Sequence, residues 1–162
     1  VGAELFSFST SMTVVYDGAM EIDSRLNDID DCLYRVAARV LIAQDNKILL
    51  VRESDDDWWA LPGGGVDHGE SIEATLIREV EEELGVPADT VSSDFQIVYY
   101  NIGNVVNGVP RMNLFFKASV SEDQLRKTSH VSEWKWFTKD EFMAADLHVS
   151  YDKTKLAEVI FS

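Results

Sequence analysis

The stretch Ile72–Leu84 constrains this chain more than any other, because only one regular structure brings its apolar residues together. At roughly 100° per residue, Leu76, Ile77, Val80 and Leu84 fall on one arc of an α-helix. Ser71 offers a side-chain oxygen to the first unpaired N–H groups, and Gly85 is a residue that adopts the left-handed conformation closing a helix. A helix with one apolar arc must bury it, and the segments on either side are strand-like, so the predicted partner is a sheet. Glu79, Glu82 and Glu83 lie together beside that arc.

Before the helix, Tyr34–Ala43 and Lys47–Arg52 are apolar runs separated by Asp45 and Asn46, the pattern of a β-hairpin. After it, Phe95–Asn101 and Met112–Val120 read as strands joined by a loop containing Gly103, Asn107, Gly108 and Pro110. Trp134–Phe137 reads as a short strand, Thr138 and Glu141 as the capping box of a helix to about Ala145, and Asp152–Ile160 as a last helix. The fold class is α/β or α+β, with helices packed on a mixed sheet or sandwich. Residues 1–31 are less patterned: Phe6, Phe8 and Met12–Tyr16 suggest a strand, followed by an acidic loop to Asp31. We treat 1–31 as an N-terminal extension and 32–162 as one domain, since 162 residues suffice for a single core.

Charge narrows the partners. Twenty-nine acidic residues against 14 basic ones give a net charge of -15, with no clustered Lys or Arg. Non-specific nucleic-acid binding and adhesion to anionic membranes are therefore disfavoured. The single cysteine, Cys32, leaves no internal disulfide and no zinc pair, and reads as a small core residue. With neither a signal-peptide pattern nor an apolar run near roughly 20 residues, the expected location is cytoplasmic.

Carboxylates three and four residues apart on a helix repel, at about 0.2–0.5 kcal/mol per pair, so a cation belongs beside Glu79, Glu82 and Glu83. Magnesium, a hard ion that takes carboxylate, water and phosphate oxygens, is the physical candidate. The wider pattern runs from Gly64 through Glu70 to Arg78, Glu79, Val80, Glu82, Glu83, Gly85 and Val86. It resembles the signature box of the Nudix hydrolase family (MutT-like) at every defined position. The lead-in Trp59–Gly63 and the later Glu133–Phe137 resemble the family too.

That resemblance implies an α/β/α sandwich around a central mixed β-sheet, and Mg2+-dependent hydrolysis of a pyrophosphate bond, with Mn2+ as a substitute. It implies that Glu79, Glu82 and Glu83 hold the metal together with the backbone carbonyl of Gly64, and that Arg78 joins the catalytic set by orienting a glutamate, with Glu70 bracing the loop. The general base in such enzymes is a box glutamate, here Glu79, or one from a later loop, for which Glu122 and Glu133 are the candidates.

The family's substrates, nucleoside diphosphates linked to another group, call for aromatic rings and cationic side chains. Trp58, Tyr99, Tyr100, Arg35, Arg52 and Arg111 are the candidates for binding substrate. The proline typical of ADP-ribose hydrolases is missing from 91–107, which leaves a nucleoside triphosphate or a nucleotide sugar. His68, His130 and His148 have no metal-ligand spacing and read as ordinary surface or loop residues, although His68 could touch substrate from the box loop. A competing reading is a non-catalytic Nudix-fold module that senses a nucleotide-like effector, against which the intact box argues. An isoprenoid diphosphate isomerase on the same fold would need a catalytic cysteine, and Cys32 lies before the first core strand. The resemblance also admits a homodimer, with the N-terminal segment as one contact.

Overall fold

The computed structural model describes residues 33–54, 56–91, 95–106, 108–148 and 151–162. The strand and acidic loop expected in 1–31, and Cys32, lie outside them.

The opening hairpin forms as read. Strand β1 (Arg35–Gln44) turns at Asp45 and Asn46 into β2 (Lys47–Glu53). Both turn residues have positive φ, 49° and 58°, as a two-residue hairpin turn of matching twist requires. The two strands pair only next to the turn, at Ala43 with Ile48 and Gln44 with Lys47. Farther along they part, and the segment before the box fills the gap: Ala60 exchanges hydrogen bonds with Val51 at 2.8 and 2.9 Å, and the Val40 N–H donates to the Pro62 carbonyl at 2.8 Å. This wedge delivers a strand the sequence pattern does not announce, β3 (Gly63–Gly65), which pairs antiparallel with Ala37–Arg39. A glycine run carries no side-chain periodicity, so only pairing with β1 reveals it.

The helix is α1 (Ile72–Leu84), with the Ser71 side chain accepting from the Ala74 N–H and Gly85 in the left-handed region at φ 64°. Its Leu76, Val80 and Leu84 are fully buried among Ala38, Val40, Ile42, Leu49 and Val51 on one face of the sheet. Each such burial contributes about 1.5–3 kcal/mol. The opposite face carries Leu41, Ile48, Leu50 and Phe115, covered by Phe142 of α2 (Lys139–Ala144) and Leu156 of α3 (Lys153–Ile160). Because both faces are covered, β1 and β2 read as continuous apolar runs rather than as an alternation.

The remaining strands are β4 (Gln96–Val106), β5 (Val109–Ala118) and β6 (Val131–Phe137), in sheet order β4-β5-β1-β2-β6. The pairing of β1 with β5 is parallel and the others are antiparallel, so the α/β/α sandwich has a mixed sheet as expected. Strands β4 and β5 extend well into the stretch read as a loop. Pro110 sits opposite Val105 beside a register shift, where a missing N–H is tolerated, and Gly108 turns the chain at φ 80°. Among the described residues no helix is long and apolar enough to cross a membrane.

Candidate active site

The carboxylates of α1 sit in unequal surroundings. Glu83, 5% exposed, accepts a hydrogen bond at Oε2 from the Gly63 N–H at 2.9 Å. Burial pushes its carboxyl up to about 8, against the opposing pull of Arg39 and the Gly63 N–H. Glu79 is also largely buried, and burial raises its pKa while the Arg78 guanidinium, 2.7 Å from Oε1, pulls it down. Glu82 is the most open of the three, and its Oε2 lies 3.1 Å from Arg78.

Arg78 organises this group. Its Nε and Nη2 donate to Glu70 Oε1 and Oε2 at 2.9 and 3.1 Å, a two-pronged pair, while Nη1 serves Glu79 and Glu82. Glu70 is held down to about 2 by Arg78 first and then by the Thr75 hydroxyl, which donates at 2.7 Å. Arg78 thus ties Glu70, before the helix, to Glu79 and Glu82 on it. It also draws Glu79 and Glu82 onto a guanidinium, and among the described residues no three Asp, Glu, His or Cys side chains form a ready metal cluster.

The glycines set the approach. A Cβ on Gly64 would overlap the Glu79 carboxylate, so any larger residue there displaces that side chain. A Cβ on Gly65 would overlap the guanidinium of Arg35, which donates to the Val66 carbonyl at 2.7 Å and to Asp67 at 3.3 Å. Arg35 is therefore engaged in holding the box loop.

Glu79, Glu83 and Gly63–Gly65 line a cavity of about 290 Å³ together with Arg39, Glu53, Arg111 and His130. Of the residues proposed for substrate, Arg111 is brought here, its pKa lowered by burial and then by the neighbouring Arg39. The others are not part of this lining. Arg52 lies over the Trp59 ring at 4.3 Å and 3.8 Å from Glu133, so both Arg52 and Glu133 serve the β2–β6 surface. Trp58 meets His148 edge-on at 6.0 Å, Tyr99 stacks on the core ring of Phe115 at 5.4 Å, and Tyr100 is 62% exposed. Glu122 begins a short 3-10 turn at Glu122–Gln124 and is exposed. Sequence reasoning missed Arg39, Glu53 and His130. Only Arg39 left a signal, a charge in the middle of the apolar run of β1.

A chain with this sandwich and this box has a family. The family model described as NUDIX domain matches residues 33–157, and the chain belongs to the Nudix family of pyrophosphohydrolases. It is 30% identical over 126 residues to a nucleoside triphosphatase NudI from Escherichia coli, covering 70% of this chain and 89% of that one. It is 29% identical over 128 residues to an RNA pyrophosphohydrolase from Wolbachia pipientis subsp. Culex pipiens, covering 69% and 79%. The fold is similar to the crystal structure of a MutT protein from Methanosarcina mazei Go1, with a TM-score of 0.61 at 20% identity over 79% of this chain and 95% of that one.

Proposed function

We propose that this enzyme hydrolyses a pyrophosphate bond of a nucleoside triphosphate, with Mg2+ as its metal and Mn2+ as a substitute. The observation that carries the reading is a cavity lined both by the box carboxylates Glu79 and Glu83 and by Arg39 and Arg111. The relative named a nucleoside triphosphatase favours the same substrate class. A nucleotide sugar is the alternative within the same chemistry.

The donor set fits a hard divalent cation. Glu79 and Glu83 are carboxylates whose charged form is penalised by burial, a penalty that a cation in the cavity offsets. Glu79, Glu83 and the Gly64 carbonyl would hold it, joined by Glu82 once that side chain leaves Arg78. When bound, Mg2+ supplies neutralisation of the phosphate charge and a more acidic water.

The chain's own groups do the rest. Glu79, its Oε1 held by Arg78, takes the proton of the attacking water. Arg78, pinned by Glu70, keeps that carboxylate in register with the cavity. Arg111 binds a substrate phosphate oxygen and orients the chain of phosphates for attack. Water oxygen bonds to phosphorus, the bridging P–O bond breaks, and the departing phosphate leaves with the bridging oxygen.

Release of phosphate or pyrophosphate from a panel of nucleoside triphosphates, nucleotide sugars and dinucleotides tests this. Magnesium-dependent cleavage of the triphosphates supports the reading; tight binding of one compound with no cleavage of any contradicts it.

A further inference from the structure

Gly63 joins two buried charges. Its N–H donates to Glu83 Oε2 at 2.9 Å, while its carbonyl accepts from Arg39 Nη1, which also donates to the Leu61 carbonyl at 3.3 Å. Arg39 is 4% exposed and Glu83 5%. The register of β1 and β3 sets Arg39 opposite Gly63. Among the described residues, no ion pair joins Arg39 directly to Glu83, and the hydrogen-bonded path between them runs through Gly63, from its carbonyl to its own N–H in the preceding peptide. Gly63 takes a conformation that other residues rarely adopt: its φ is 126°, and a Cβ there would overlap the Ala38 carbonyl.

We infer that Arg39 is a positioning residue for Glu83, acting through Gly63. It donates to the carbonyls of Leu61 and Gly63, which flank the Pro62–Gly63 peptide, and so fixes the segment whose Gly63 N–H holds Oε2. The Glu83 side chain is thereby ordered before a metal arrives, so the entropy of ordering it is not charged to binding. Hydrogen bonds that orient a metal ligand from outside its coordination shell typically change metal affinity by about 10–100-fold when removed. This inference rests on the reading of Glu83 as a metal ligand.

The test uses the 15N-labelled full chain, its Arg39→Met and Arg39→Lys variants, and Mn2+ as the probe. In Arg39→Met the Gly63 amide proton should shift upfield and exchange faster. Mn2+ binding followed by electron paramagnetic resonance should weaken about tenfold. In nucleotide hydrolysis kcat should fall while KM stays within about twofold. Arg39→Lys, which keeps a charge and one donor, should recover part of each loss. A folded Arg39→Met with an unmoved Gly63 amide and unchanged Mn2+ affinity overturns the inference, even if its melting temperature drops. If Arg39→Met does not fold, the same two readouts on Arg39→Lys decide it, and no change in either overturns it. Weakened Mn2+ binding in a protein whose intact form cleaves no nucleotide would remove the hydrolase reading and leave the role of Arg39 standing. Unmoved readouts in an active enzyme would do the reverse.

Discussion

The cavity is lined by two sets of groups, here called its walls, that are built in opposite ways. Glu79 and Glu83 come from one helix, at positions fixed by 3.6 residues per turn, with Gly63–Gly65 pressed against them. Arg39, Arg111, Glu53 and His130 come from β1, β5, β2 and the segment entering β6, and meet only because of the sheet order. The first wall is local and strict; the second is assembled from distant parts of the chain. On the proposed reading, the groups that hold the metal sit on the strict wall and the arginine that binds phosphate on the assembled one.

The sharpest break in this comparison is Glu83→Gln. Loss of about 4 kcal/mol of transition-state stabilisation should lower kcat on the order of 10³-fold. Its melting temperature should hold or rise, since a buried carboxylate is replaced by a neutral isostere; a collapse in stability would make Glu83 structural. Gly64→Ala tests the fit of the strict wall. Its Cβ displaces the Glu79 carboxylate, so kcat should fall by about 10–100-fold with the fold retained by circular dichroism.

On the assembled wall, Arg111, proposed to bind a phosphate, should respond in KM. Arg111→Met removes a charged donor worth about 1.5–3 kcal/mol, raising KM roughly tenfold or more with kcat less affected. Away from both walls, burial lowers the pKa of His148 from 6.5 to about 4, with Arg39 and Arg111 adding to the shift. Between those values the unfolded chain binds a proton that the native chain does not, so stability should fall as pH drops from about 6.5 to about 4. Urea unfolding of His148→Phe across that range should show a shallower fall than the wild type. The smallest effect belongs to Glu133→Gln: its pair with Arg52 is half exposed and lies outside the cavity lining, so kcat should change by less than about twofold. A tenfold loss there would transfer the base from Glu79 to Glu133.

The same contrast explains what could be read from the sequence. The extent of α1, its caps at Ser71 and Gly85, the opening hairpin and the capping box at Thr138 are local patterns, and each lies where its residues indicate. Strand β3 was not legible, because Gly63–Gly65 becomes a strand only when Ala60–Pro62 wedges β1 and β2 apart. Tyr99 and Tyr100 looked equivalent as neighbours in sequence, yet a strand sends one ring onto Phe115 and the other into solvent. Arg35 and Arg111 are register partners on paired strands, and only the box loop separates their roles: it takes the donors of Arg35.

The central claim is that the carboxylates of one helix bind the metal that drives cleavage. Its most direct test is nucleoside triphosphate hydrolysis as a function of Mg2+ concentration in the intact protein and in a Glu79→Gln, Glu83→Gln double variant, both confirmed folded by near-ultraviolet circular dichroism. Activity that saturates with Mg2+ in the intact protein and is abolished in the double variant is the predicted result. Cleavage that persists in the double variant with the same Mg2+ dependence would contradict it.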